Sequence, residues 1–428
     1  MHTDFVPAHD PVCGCAENER AGLTRRHLIQ LTAAAGLVTA TTVNDARVAF
    51  GAPMAGGTGG DVLVVLSLRG GFDGLSAVVP ASDANYRKLR PNTAVPAASL
   101  KQVDSTFGLA PGLKPLYSLW DSGKVAAIHA VGQEDPTRSH FEAMAEMERA
   151  APGSSLRTGW IDRSIGMLSD ADAFAGAQVG NGTMPGSLYG PNPKFAVANL
   201  TDVRIGVDEQ LVPSAAWTRA MAGLHRGARP EVVQPTSNAL AAVAKLKKVP
   251  KTGDAASVGY PSGALGPALH DVARLIKANL GLRFATVDYG NWDMHQNMGN
   301  GTAGWMFNQL TELSGAMAAF AKELGDDFNR VTVVTLSEFG RRTAENGSAG
   351  LDHGHGNAVL VMGGNVNGGK VYGAWPGLSA GALDDGDLAG RTDYRSVMAE
   401  ILTKRCKISG TSKVFPGLSA KTLGFVKG

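Results

Sequence analysis

Val62-Leu63-Val64-Val65-Leu66-Ser67-Leu68, followed at once by Arg69-Gly70-Gly71-Phe72-Asp73-Gly74, is the stretch whose reading decides the fold. The first seven residues are nearly all apolar and rich in β-branched side chains, without the polar alternation of a half-exposed strand. A run of this kind is expected of a strand buried on both faces, as strands of parallel sheets are. The glycines that follow allow a tight turn and present Asp73 near the sheet edge.

Working outward, strand and helix signals keep alternating. Pro111 to Trp120 reads as a helix, Lys124 to Val131 as a strand and Ser139 to Arg149 as a helix. From about Pro152 to Pro261 the chain is richer in Gly, Pro and small residues and its periodicity weakens, which predicts an insertion or cap over the sheet. Order returns with a helix Leu265 to Asn279, a strand Phe284 to Asp288, a helix Trp305 to Leu324 and a strand Val331 to Leu336. A strand Ala358 to Met362 and a closing helix Asp393 to Cys406 complete the pattern. This alternation predicts an α/β fold for residues 56–428, one domain with a mostly parallel sheet and helices on both faces.

Composition excludes several classes. A chain of 428 residues, 44% hydrophobic and 18% charged, can bury a full-sized core and is not disordered. A net charge of +2, with no basic block beyond the leader, gives no reason to expect a nucleic-acid partner. The leader itself carries Thr24-Arg25-Arg26-His27-Leu28 before a weakly apolar run to Val43, diluted by Gln30 and several threonines. That run falls short of the ~20 apolar residues of a spanning helix, so no stable membrane anchor is expected. With the small residues from Ala49 to Ala55 and a cut near Ala49-Phe50-Gly51, residues 1–55 read as a cleavable twin-arginine signal and linker. The mature protein is then expected in the periplasm or outside the cell. Cys13 and Cys15 fall in the leader, as incidental residues or as a metal or redox pair, and only Cys406 remains, so no internal disulfide is expected.

Open α/β sheets bind ligands beyond the carboxyl ends of their strands, and here those positions are polar. Asp73 follows the first strand, as a ligand candidate or an Asx-turn carboxylate. Asp288 leads into Asn291-Trp292-Asp293-Met294-His295, where i, i+2 spacing puts Asp293 and His295 on one side of an extended segment. Ser337-Glu338-Phe339-Gly340-Arg341-Arg342 supplies a carboxylate and two guanidinium groups able to hold an anion. Asp352-His353-Gly354-His355 repeats the i, i+2 pairing with two histidines. Asp73, Asp293, His295, Glu338, His353 and His355 are therefore the candidate metal ligands. Mixed imidazole and carboxylate donors without thiolate suit divalent zinc, manganese or iron. Ser139 opens a predicted helix, where amide N–H groups favour negative charge, and could attack an ester with Arg138 holding the oxyanion. Ser139 with Glu142 is also a capping box. Ser76 is a second, weaker nucleophile candidate. His129, inside a strand, reads as a satisfied core histidine, and His140 as lining the site or occupying the first helical turn.

Arg-Gly-Gly-Phe-Asp-Gly-Leu at 69–75, Arg-Ser-His-Phe at 138–141, Trp-Asp-Met-His at 292–295, Ser-Glu-Phe-Gly-Arg at 337–341 and Asp-His-Gly-His-Gly at 352–356 recur in this order. In these motifs the chain resembles the domain-of-unknown-function 1501 family. The resemblance implies a fold similar to the alkaline phosphatase and sulfatase superfamily, with metals at strand ends and a Ser, Thr or Cys nucleophile opening a helix. It would make Asp73 the early metal carboxylate, Ser139 the nucleophile, Asp293 and His295 a ligand pair, and His353 or His355 the late histidine. Ser337-Glu338 stands where the superfamily carries an Asp-His pair, and Asp293 and His295 are closer in sequence than its members have them, so one metal position is lost or rebuilt. The resemblance also implies a protein partner encoded nearby. The expected activity is metal-dependent hydrolysis of phosphate or sulfate esters, on a small-molecule or polymer substrate held by Arg138, Arg341 or backbone N–H groups. The contrasting expectation is a non-catalytic binding or assembly module of the cell envelope on the same scaffold.

Overall fold

The computed structural model describes residues 47–49, 60–134, 136–171, 174–202, 214–224, 240–247, 249–250 and 252–428. The arginine pair, Cys13, Cys15 and most of the expected cut site lie outside the described residues. The main strands are β1 (Arg47–Ala49), β2 (Val62–Leu68), β3 (Val125–Gly132), β4 (Gly176–Val179), β5 (Lys194–Val197), β6 (Phe284–Tyr289), β7 (Val331–Leu336), β8 (Asn357–Gly363), β9 (Val371–Tyr372) and β10 (Thr392–Asp393). They form one sheet in the order β1-β5-β4-β6-β2-β7-β8-β3-β9, with β10 also paired to β3. The principal helices are α1 (His140–Arg149), α2 (Leu265–Lys277), α3 (Trp305–Leu324) and α4 (Tyr394–Lys404).

The strand that opened the sequence reading is the middle of this sheet. All seven residues of β2 are buried, and it pairs in parallel with β6 (Leu63 opposite Phe284) and with β7 (Val62 opposite Val331). Its side chains alternate between two cores, as the period of a strand requires. Val62, Val64, Leu66 and Leu68 join the core under α2 and α3, while Leu63 and Val65 join the core under α1 and α4. Helices thus cover both faces, and this double burial is why β2 lacks polar alternation. Each fully buried Val or Leu contributes about 1.5–3 kcal/mol relative to exposure.

Strands β5, β4, β6, β2 and β7 run parallel to one another, and β8 is antiparallel to both β7 and β3. This reversal brings the residues just before β8, including His353, to the same sheet edge as the residues just after β6 and β7. Because β8 is antiparallel to β3 as well, the chain leaving Gly132 toward His140 arrives at that edge too. The α/β fold with a mostly parallel sheet expected from the sequence is the fold observed.

Some local expectations shift. Pro111–Leu116 is a 3-10 turn and only Tyr117–Asp121 is α-helical, because Pro115 has no N–H to donate. Within the stretch 152–261, Gly176–Val179 and Lys194–Val197 are β4 and β5 of the sheet itself, while 203–213 and 225–239 lie outside the described residues. Four-residue strands such as Gly176-Ala177-Gln178-Val179 are too short and too small-sided to show a period. Arg47–Ala49, upstream of the expected cut, pairs antiparallel with Lys194–Ala196 at the sheet edge. No helix among the described residues is long and apolar enough to cross a membrane.

Candidate metal centre

The loop after β6 is pinned by Trp292, which is buried edge-on against Phe72 at 4.9 Å and donates from Nε1 to the Tyr289 carbonyl at 3.1 Å. The next residue, Asp293, turns its carboxylate outward, and four nitrogen-bearing side chains converge on its Oδ1. Arg341 Nη2 lies at 2.6 Å, His295 Nε2 at 2.9 Å, His353 Nε2 at 3.2 Å and His140 Nε2 at 3.5 Å. Gly70 permits this approach from the other side. Its φ of +114° suits only glycine without strain, and a Cβ there would stand 2.8 Å from the Asp293 amide nitrogen.

The far side of each imidazole determines what the near side offers. His140 Nδ1 lies 2.7 Å from Glu338 Oε1, His295 Nδ1 3.0 Å from Asp352 Oδ1, and His353 Nδ1 2.8 Å from the Arg138 carbonyl. All three partners are acceptors, so a proton on each Nδ1 satisfies them and leaves each Nε2 aimed at one spot, where its lone pair is available to an ion. Yet His295 Nε2 and His353 Nε2 are only 2.9 Å apart, and His140 Nε2 is buried with no hydrogen-bond partner. Lone pairs facing one another and a carboxylate repel unless a cation lies among them, and Arg341 relieves only part of this, with Nη2 on Asp293 Oδ1 at 2.6 Å and Nη1 3.4 Å from His295 Nε2. Ligand atoms of His140, Asp293 and His353 all fall within 4.8 Å of one another, and His295 adds a fourth donor to the same oxygen. Three imidazoles and one carboxylate, each ring oriented by an acceptor behind it, fit a divalent zinc, manganese or iron ion.

Charge is arranged to keep Asp293 ionised. Its partial burial favours the neutral acid, but the Arg341 hydrogen bond and charge outweigh this and hold the carboxyl at about 2. Asp352 is held below the usual carboxylate range by hydrogen bonds from Asn346 and His295. Burial lowers the His353 imidazole, against the opposing pull of the Arg138 carbonyl and Asp293. A neutral ring beside an ionised carboxylate is the state in which both are ligands.

The candidate residues from the sequence therefore separate. Asp293, His295 and His353 come together. Asp73 does not join them: Arg90, completely buried, grips both its oxygens at 2.6 and 3.0 Å and also donates to Ser76 Oγ at 3.0 Å. A carboxylate and hydroxyl so engaged are structural. Glu338 is present but one layer back, buried, accepting from His140 and from the Gly70 amide at 2.8 Å. His355 points elsewhere, its Nε2 donating to the Gln133 carbonyl at 2.9 Å. Arg341, expected to hold an anion, spends its donors on Asp293 and on the carbonyls of Gly70, Gly71, Trp292 and Leu351. Arg138 is paired with Asp387 at 2.7 Å and Asp385 at 3.0 Å, while its own carbonyl orients His353. Ser139 is the N-cap of α1, accepting the Glu142 amide at 3.4 Å, and Glu142 turns to Thr137 rather than back to the cap. His129 is the satisfied core histidine expected.

Sequence reasoning undervalued His140. The available signal was its position, one residue past the N-cap of a helix that follows a strand ending at the ligand edge. Asp352, whose only sequence signal is its place before His353-Gly354-His355, is the acceptor behind His295.

No curated protein matches the chain. Among solved structures it is similar to the alkaline phosphatase from the Antarctic bacterium TAB5, with 9% identity, 71% of this chain and 92% of that chain covered, and a TM-score of 0.29. It is also similar to the lipoteichoic acid synthase LtaP from Listeria monocytogenes, with 10% identity, 95% and 81% coverage, and a TM-score of 0.33. The PsFucS1 sulfatase from Pseudoalteromonas sp. aligns with 8% identity, 73% and 64% coverage, and a TM-score of 0.32. Likeness at these scores carries no argument about activity, which has to come from the side chains. Residues 272–404, which hold Asp293, His295, Glu338, Arg341, His353 and His355, match the family model described as "Protein of unknown function (DUF1501)", the family that the sequence motifs resemble.

Proposed function

We propose that the chain is an exported, metal-dependent hydrolase of phosphate or sulfate esters that works with one divalent ion. The observation that carries this reading is the convergence of three imidazole Nε2 atoms on Asp293 Oδ1, each ring oriented from behind by an acceptor. An ion bound there supplies Lewis acidity toward a phosphoryl or sulfuryl oxygen and lowers the pKa of a water toward ~7. His140, His295, His353 and Asp293 hold it. Glu338, Asp352 and the Arg138 carbonyl fix the rings, and Arg341 keeps Asp293 ionised and in place. Ser139 supplies the attacking hydroxyl in this reading, since its Oγ is held only by a long contact to the Glu142 amide and sits one residue from His140.

A non-catalytic envelope module is the second reading. What favours it is that Arg138 and Arg341, the expected anion holders, are both committed to protein partners. A screen of phosphate monoesters, diesters and sulfate esters with protein purified without chelator separates the two. Turnover that is lost on stripping the ion and in Ser139→Ala, with the ion retained in that variant, supports the hydrolase. Absence of both ion and turnover leaves the binding module. Export by the twin-arginine route belongs to the same proposal, and its test is the cellular location of a fusion with and without Arg25→Lys and Arg26→Lys.

A further inference from the structure

Gln133 is the first residue after β3, on the stretch that leads to α1, and is only 9% exposed. Its side-chain Nε2 donates to two carbonyls at once, that of Ala143 in α1 at 2.8 Å and that of Glu338, just beyond β7, at 2.7 Å. Its own carbonyl accepts from His355 Nε2 at 2.9 Å, on the approach to β8. The ends of β3 and β7, the first turn of α1 and the start of β8 thus meet at one residue.

The two carbonyls fix which way the amide faces, since only its NH2 group can donate to both. Oε1 is then left buried without a hydrogen-bond partner among the described residues, and Gln133 lines a small cavity with Met147, Leu336, Phe339 and Tyr394. A buried acceptor left unpaired costs stability. Packing alone therefore does not account for a glutamine here; what the glutamine supplies is the double donor. The placement of its two acceptors says what that donor does. Ala143 lies three residues after His140, and residues i and i+3 of a helix are neighbours on one face. Glu338 is the residue whose carboxylate lies 2.7 Å from His140 Nδ1. Gln133 ties the helix that carries a ligand to the residue that orients that ligand.

We propose that Gln133 is a positioning residue of the candidate centre, holding the first turn of α1 against Glu338 so that the His140 ring is aimed before an ion arrives. This role rests on the ion-binding part of the reading above and not on ester hydrolysis.

The test is a double-mutant cycle on zinc affinity, read by competition with a chromophoric chelator, in the wild type, Gln133→Met, Glu338→Ala and the two together. Methionine is as long as glutamine and has no amide to donate. Gln133→Met is expected to weaken zinc binding about 10-fold, the lower end of the range for groups that orient a ligand. Residues that act through one contact are not additive, so the double variant is expected to bind zinc no more weakly than Glu338→Ala alone. Cobalt-loaded Gln133→Met is expected to show the change in visible absorption that Glu338→Ala shows, which a loss of stability would not produce. Gln133→Asn, one methylene too short to span both carbonyls, is expected to behave in the same way and replaces Gln133→Met if that variant does not fold. An unchanged zinc Kd in a folded variant, or losses that add in the double variant, would overturn the role of Gln133 and leave the ion site standing. Failure of the wild type to bind zinc would overturn both.

Discussion

Glu338 Oε1 lies 2.7 Å from His140 Nδ1 and 2.8 Å from the Gly70 amide, so one buried carboxylate ties the start of α1 to the turn after β2. Without it the His140 ring has no acceptor to fix its orientation. Glu338→Ala is expected to weaken divalent-ion affinity about 10- to 100-fold. Competition titration against a chromophoric chelator measures this, and an unchanged Kd would show that Glu338 plays no part in the centre.

The centre should hold one ion per chain. Elemental analysis of protein prepared without chelator is expected to find about one equivalent of zinc, manganese or iron, lost in His140→Ala, His353→Ala and Asp293→Asn. An ion present at 100 times its Kd stabilises the folded state by about 2.7 kcal/mol, so chelation should lower the melting temperature of the wild type and not of these variants. Two equivalents would mean that a second site exists outside the cluster.

Asp73 and Arg90 offer a control that separates stability from ligation. Removing one partner of a buried, hydrogen-bonded ion pair strands the other charge, and such losses run to about 3–5 kcal/mol. Arg90→Met is therefore expected to lower the urea midpoint strongly, while the refolded protein keeps its ion. Loss of the ion at unchanged stability would return Asp73 to the ligand set.

His129 predicts how the fold responds to acid. Its neutral ring is satisfied on both sides, Nε2 donating to the Val78 carbonyl at 2.9 Å and Nδ1 accepting from the Ala130 amide at 3.0 Å. Burial pushes the imidazole down to about 4. The folded value lies below the ~6.5 of an unfolded chain, so this stability is whole above pH ~6.5 and is lost as pH falls through about 4. The shift corresponds to about 3 kcal/mol. Urea unfolding at pH 7 and pH 4 should show a smaller acid loss in His129→Gln than in the wild type, and equal losses would refute the assignment.

Strand positions were legible because burial on both faces leaves a mark in the residues themselves. β2, β7 and α3 begin and end where periodicity and β-branching put them, whereas β4 and β5 were missed because strands of four residues are too short to show a period. The same holds at the site. Asp293 and His295 were recognisable as a pair because their spacing is local.

Partnerships across the chain were not legible. That Asp73 meets Arg90 and that Arg341 meets Gly70, Gly71, Trp292 and Asp293 depend on the neighbouring ends of β2, β6 and β7, and that His140 reaches Asp293 depends on β8 running antiparallel between β7 and β3. The sequence by itself determined the long buried strands and helices and which ionisable residues sit at the ends of those strands. Tertiary structure alone decided which of those residues gather around Asp293 and which are neutralised by a neighbour elsewhere. The physical reason is that hydrophobic burial is a property of each residue and its near neighbours. The fate of a charge depends instead on whichever opposite charge folding brings within hydrogen-bond distance.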